Sequence, residues 1–349
     1  MTKKKEQVEQ VVVSYKGFSP DWKCRDFQYE IGKTYEHKGK VEACAGGFHA
    51  CEYPLHVLRY YKPSQSKFAV VEQSGTISRH DEDSKIASSR ITVKAELDIA
   101  GLIKAAVKYT LDLCTPAEGA ISDQPNTVVK AEGKNKSALA SGYYGAATAS
   151  GYYGAATASG DYGAATASGN SGAATASGDY GAATASGYSG AATASGDYGA
   201  ATASGDSGAA TASGDSGAAT ASGDYGAATA SGDYGAATAS GDYGAATASG
   251  DYSAATASGY SGAATASGNS GAATASGDYG AATASGDYGA ATASGRNGKA
   301  KGKDGCALFL IYRDDSWKIV HAKAAIVGQN GIKADTFYRL NAAGEFVEV

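Results

Sequence analysis

The sequence predicts a mainly β protein: a long parallel β-solenoid of nonapeptide repeats, about 18 residues per coil, set between a small N-terminal α+β domain and a C-terminal β cap. Three observations carry this. From Ser141 to Ala293 the motif S-G-x-x-G-A-A-T-A recurs seventeen times with no insertion or deletion. Lysine and arginine are absent from that stretch, although the 349-residue chain holds 30 of them. On either side, runs such as VVVSYKGF and CALFLIY have the apolar character of ordinary strands. The expected division is residues 1–131 for the N-terminal domain, 132–305 for the solenoid with degenerate end repeats, and 306–349 for the cap.

A Gly/Ala/Ser tract suits a flexible linker by composition alone. Spacing argues for order instead. The first glycine of the motif never varies, and the second departs once, at Ser253. A helix would scatter these glycines over opposite faces at about 1 kcal/mol each. In the unit Gly223–Ser231, Gly223-Asp224-Tyr225-Gly226 reads as a turn in which glycine supplies positive φ, and Ala227–Ser231 reads as a strand. Strand alternation sends Ala228 and Ala230 inward and Ala227, Thr229 and Ser231 outward. Two units then close one flattened coil, with strands about 4.8 Å apart, and seventeen units make about eight and a half coils.

On these residues the repeat resembles the calcium-binding β-roll of RTX proteins, whose nonapeptide is G-G-x-G-x-D-x-U-x. Gly223, Gly226 and Ala230 match its first, fourth and eighth positions. Ala228 stands where the resemblance would require the calcium-ligand aspartate. The resemblance implies the coil geometry without the internal row of calcium ions.

Alanine methyls make a thin core, since burial contributes about 0.8 kcal/mol per CH₂ against about 1–2 kcal/mol of backbone entropy per residue. Continuous hydrogen-bond ladders, stacked Tyr and Thr side chains, and caps over the open strand edges are the expected supports. Glu132–Ala140 reads as a degenerate first unit with Leu139 enlarging the core. At the other end, the turns at Gly295/Gly298 and Gly302/Gly305 precede the apolar strand Cys306–Tyr312. The tail beyond it has strand-like runs separated by Asp-Asp, Gln-Asn-Gly and Ala-Ala-Gly turns. In the N-terminal region VVVSYKGF, FQYEIGKTYE, SKFAVVEQSGTIS and RITVKAELDI read as strands. YPLHVLRYY, with Pro54 near its start, and AGLIKAAVKYTLDL read as helices.

The block YKGF…KCRDFQYEIGKTYE…GGFHACEYPLHVLRYY, followed by such repeats and the ending TFYRLNAAGEFVE, resembles an uncharacterised family of phage and gut-bacterial proteins. That resemblance implies an origin and a domain order, and allows association with a virion. The segments YKG and GGFHAC also resemble, distantly, ADP-ribosyltransferase folds, which would make Glu72 the catalytic acid with Tyr15 as a further catalytic candidate, although those enzymes usually carry His or Arg where Lys16 stands. Solvated strand positions account for the same two residues without catalysis. Cys44, His49, Cys51 and His56 cluster with zinc-compatible chemistry, but C-x4-H-x-C-x4-H is not a recognised finger spacing. No cofactor is expected.

Five cysteines, Cys24, Cys44, Cys51, Cys114 and Cys306, suit reduced thiols better than a disulfide framework. No apolar run of membrane-spanning length and no signal-peptide pattern is present, so a cytoplasmic protein is expected, with no membrane partner. The net charge of −5 divides into +3 for residues 1–140, −11 for the repeats and +3 for residues 294–349, which gives no footprint for nucleic acid. With two units per coil, Asp179, Asp197 and Asp215 align on one edge as a carboxylate ladder whose repulsion opposes folding at neutral pH. Thr229 and Ser231, repeated on each broad face, would form the hydroxyl lattice that an ice- or surface-binding solenoid needs. The principal expectation is a non-catalytic structural protein whose rod spaces or presents terminal binding domains. It would associate with itself as an oligomer or filament, with a protein partner possible at the N-terminal domain.

Overall fold

The computed structural model describes residues 10–63, 65–79, 84–113 and 115–349, and Cys114 lies outside the described residues. The chain divides into two compact units. The first comprises the N-terminal domain to Leu102, and the second comprises residues 62–64 and Ile103–Val349.

The first unit holds β1 (Val12–Phe18), β2 (Lys23–Cys24), β3 (Phe27–Gln28), β4 (Thr34–Glu36), β5 (Phe48–Cys51), β6 (Lys67–Arg79) and β7 (Lys85–Leu97), and α1 (Ile99–Leu113) begins in it and continues into the second. The main sheet runs β4-β7-β5-β1-β6, and β6 also pairs with β7, so four strands close into a ring. Its core gathers Phe18, Tyr29, Phe48, Val71, Ile91 and Val93. Gln73 is wholly buried in this ring and fully engaged: its amide oxygen accepts from Ser14, and its nitrogen donates to the Phe48 carbonyl and to Ser88. The segment FQYEIGKTYE does not form one strand but splits into β3 and β4, with Gly32 at φ +82° between them. YPLHVLRYY forms a short 3₁₀ helix, Pro54–Arg59, not an α-helix. Five consecutive residues of it, Pro54 to Leu58, are buried, so it lacks the one-sided apolar stripe of an amphipathic α-helix.

The second unit is the parallel β-solenoid of about 11 coils and about 18 residues per turn, spanning residues 121–310. Strand partners lie 18 residues apart throughout the repeats, as in Ala210 with Ala228 and Ala228 with Ala246. The inward alanines, such as Ala228 and Ala230, are at most 1% exposed. Hydrogen bonds continue through the turns: Ala227 N–H reaches Gly208 O at 3.0 Å, and Tyr225 N–H reaches Asp206 O at 2.8 Å. This ladder, which at Tyr252 and Ser270 turns forward to Asn269 O and Asp287 O, satisfies the backbone that a thin alanine core would otherwise leave exposed.

The first glycine of the repeat has a reason different from the expected positive φ. Its φ lies outside the left-handed region, and a Cβ on Gly232 would meet the carbonyl oxygen of Gly214, one coil below, at 1.9 Å. The second glycine is less confined, a Cβ on Gly235 meeting Gly232 O at 2.9 Å. Accordingly the chain admits Ser253 at that second position, where the preceding Tyr252 turns to φ +56°.

Parallel stacking begins before residue 132. β8 (Thr115–Ser122) pairs with the strand Lys136–Ala140, and β9 (Val128–Glu132) pairs with Ala146–Ser150 in the 18-residue register. Here Val129 and Ala131 hold the inward positions after the motif itself has been lost. Leu139 does not enlarge the core. It is 38% exposed, while its neighbours Ala138 and Ala140 point inward. At the far end Ala307–Arg313 stacks in parallel on Ala290–Ala293 and then pairs antiparallel with Ile319–Ile326. Cys306, Leu308, Leu310, Val327, Ile332, Tyr338 and Leu340 close the core there. Tyr338–Leu340 and Phe346–Glu348 finish the second sheet, also antiparallel, so the open parallel edges end in hairpins. Among the described residues no helix is long and apolar enough to cross a membrane.

Candidate functional site

The N-terminal unit encloses a cavity of about 570 Å³. β1 contributes Tyr15, Lys16 and Gly17, while β2 and the turn after it contribute Cys24, Arg25 and Asp26. Phe27 and Tyr29 form an aromatic wall with Phe48 of β5, which also supplies His49 and Cys51. Tyr60, Tyr61 and Lys85 complete the lining.

Lys16 is the centre of this site. It is only 4% exposed, and its ammonium donates to the His49 carbonyl oxygen at 2.9 Å and approaches Cys24 Sγ at 3.5 Å. It lies 5.4 Å from the centroid of the Tyr29 ring and 5.7 Å from that of Phe18, within reach of both π faces. Among the described residues no carboxylate forms an ion pair with it. Burial holds its pKa below the usual lysine value, with the nearby Cys24 opposing that shift in part.

Cys24 Sγ also lies 2.9 Å from Tyr61 Oη, so lysine, thiol and phenol form one contiguous row. Burial, followed by the bond to Cys24, raises the Tyr61 pKa, and burial likewise raises that of Tyr29. Gly17 makes this row possible, because a Cβ there would lie 2.2 Å from the Tyr61 ring. His49 accepts the Cys44 backbone N–H at its Nε2, 3.1 Å away, and burial together with the Lys16 charge lowers its pKa. The Lys85 ammonium is raised: burial works against its charge, but bonds to Cys44 and Tyr60 outweigh it. Arg25 and Cys44, both lining the cavity, have φ of 54° and 67°, a left-handed conformation that non-glycine residues adopt at a cost and that clusters at functional sites. Against Lys16, Arg25 and Lys85 the lining sets one carboxylate, Asp26. The arrangement is an aromatic-walled pocket whose lining carries an excess of positive charge.

The residues singled out from sequence fall in different places. Tyr15 lines the cavity, whereas Glu72 does not: it binds Lys94 at 3.1 Å. The β1–β6 register sets Tyr15 opposite Val70 and Glu72 opposite Val13, a diagonal step apart, with no lining role for the carboxylate. Cys44, His49 and Cys51 share the cavity, but His56 points elsewhere and its Nδ1 meets Ser84 Oγ at 2.9 Å. Among the described residues no three His, Cys, Asp or Glu side chains are grouped to hold a metal ion. On the solenoid, Ser231 is exposed and Thr229 is 9% exposed, while the threonines of neighbouring strands in its sheet, Thr211 and Thr247, are half-buried. The opposite sheet exposes Ala200 and Thr202. Asp179, Asp197 and Asp215 are exposed on one edge, 18 residues apart.

Sequence reading gave Lys16, Cys24 and Tyr61 no role in a site. Their spacing has no periodic signal, and only the closed ring brings them together. The family described as a domain of unknown function (DUF7666) matches residues 12–105, a stretch that contains the whole cavity. Neither a curated protein nor a solved structure matches the chain.

Proposed function

We propose that this protein is a non-catalytic presenting rod, whose N-terminal domain captures a small anionic ligand with an aromatic body and whose solenoid serves as the rigid support. One observation carries the reading: the Lys16 amino group is buried beside a carbonyl and a thiol, and among the described residues no carboxylate pairs with it. A buried charge without a counter-charge is costly, and an anion entering the cavity compensates it. The walls of Phe27, Tyr29 and Phe48 suit a flat apolar body, and Arg25 and Lys85 in the lining add attraction for an anion.

The support follows from the second unit. About eleven coils at about 4.8 Å each give a ladder roughly 50 Å long. Its C-terminal end closes in antiparallel hairpins, while β8 and β9 are the outermost strands of the two sheets at the other end. Each sheet thus has an outermost strand at both ends, Phe346–Glu348 and Ile319–Ile326 standing opposite β8 and β9, and pairing through these edges would supply the self-association we propose.

Thermal unfolding with and without naphthalene-2-sulfonate tests the capture. The anion is expected to raise the Tm of the wild-type protein by several degrees at millimolar concentration and to leave Lys16→Met unmoved. An equal rise in both proteins would contradict the reading.

A further inference from the structure

One edge of the solenoid carries a ladder of stacked tyrosines, and the ladder is interrupted. Tyr162 and Tyr180 stack at 4.9 Å with their planes 4° apart, and Tyr180 and Tyr198 at 5.0 Å and 6°. In the next coil Ser216 stands where a ring would follow. Tyr234 then resumes the column and stacks on Tyr252 at 5.7 Å and 10°. Tyr198 and Tyr234 are two coils apart, so about 9.6 Å separates them across the serine. One inserted aromatic ring would sit about 4.8 Å from each, the spacing that the ladder itself uses.

Exposure of the rings reports the vacancy. Tyr180, stacked on both sides, is 49% exposed, whereas Tyr198 and Tyr234, each stacked on one side, are 56% and 66% exposed. Ser216 is exposed as well and does not fill the gap. Asp197, Asp215 and Asp233 precede these three residues, are exposed, and form no ion pair among the described residues. The gap is therefore bounded by two electron-rich faces and bordered by three carboxylates.

We propose that this gap is a binding site for a planar aromatic cation, which inserts between Tyr198 and Tyr234 over Ser216 and meets the charge of Asp197, Asp215 and Asp233. The tyrosine faces attract a positively charged ring more strongly than a neutral one, and the carboxylates exclude anions. The break at Ser270 is not an equivalent site. Ser270 and Tyr288 there take φ of 56° and 60°, the Ser270 N–H donates forward to Asp287 O, and Tyr288 is 83% exposed, so this turn is built differently from the one at Ser216. The other edge breaks at Ser261, but there Lys62 lies over the Tyr243 ring at 3.5 Å and Tyr260 packs on Tyr279 at 5.1 Å, so one site per chain is expected.

Fluorescence titration of the full chain with proflavine tests the proposal. Saturation near one equivalent is expected. Ser216→Tyr, which restores the residue most common at this position, fills the gap and weakens binding at least tenfold. Ser216→Ala leaves the gap open and keeps the affinity within about twofold, and Asp215→Asn weakens it several-fold. Undiminished binding by Ser216→Tyr overturns the proposal, as does saturation at many equivalents per chain, which would mean adsorption along the whole edge. Circular dichroism of each variant separates loss of the site from loss of the fold.

Discussion

The Lys16 ammonium donates to the His49 carbonyl oxygen at 2.9 Å, across neighbouring strands of a closed ring, and thereby holds a cation inside the protein. In its folded position the lysine has a pKa below its ordinary value of 10.5. Below that lowered value both folded and unfolded chains bind the proton, and the burial penalty acts in full. Between the lowered value and 10.5 the folded chain binds fewer protons, so stability rises with pH. The Tm of Lys16→Met is accordingly expected to exceed that of the wild type near pH 6, with the difference shrinking by pH 9.5. A difference that stays constant or grows over this range would contradict a buried, depressed lysine.

The two glycines of the repeat are expected to respond differently to substitution. A methyl group on Gly232 meets the carbonyl of the coil below, so Gly232→Ala forces coils apart at a cost of about 1–3 kcal/mol, or several degrees of Tm. Gly235→Ser repeats what the chain already accepts at Ser253 and is expected to cost less than half as much. Thermal melts of the two variants check this, and equal losses would contradict it.

The antiparallel closure at the C-terminal end is expected to keep the protein soluble. Deleting residues 306–349 removes Leu308 and Leu310 from the core and exposes the edges of the last two parallel strands. Size-exclusion chromatography with light scattering is expected to show large aggregates or fibres for the truncated chain. A folded, monodisperse truncation would remove the capping role.

Asp179, Asp197 and Asp215 stand one coil apart on an exposed edge, where like charges repel and salt screens them. Replacing all three by Asn is expected to raise the Tm by about 2 °C at low ionic strength and to reduce the stabilisation given by added salt. A lower Tm in the triple variant would show that the carboxylates support the turns instead.

What was legible in the sequence follows from the range of each interaction. The coil length and the inward Ala228 and Ala230 could be read because periodicity repeats the same local pattern in every unit. The reason for Gly232 could not, since the atom that demands glycine belongs to Gly214, one coil away. The first coil was hidden because β9 keeps only the inward pattern of Val129 and Ala131, without the motif. The outward Leu139 looked like core because it is large and apolar, yet strand alternation governs its direction. The cavity was legible only in part: Tyr15, Cys44, His49 and Cys51 line it, but Lys16 and Tyr61 both reach Cys24, from β1 and from beyond the 3₁₀ helix, and only closure of the ring joins them.

Calorimetric titration of naphthalene-2-sulfonate into the wild type and Lys16→Met at pH 7 tests anion capture most directly. One site per chain is expected in the wild type, with at least tenfold weaker binding in the variant and a wild-type affinity that falls as pH rises and Lys16 loses its proton. Binding of equal strength in the two proteins, or none in the wild type, would contradict the account.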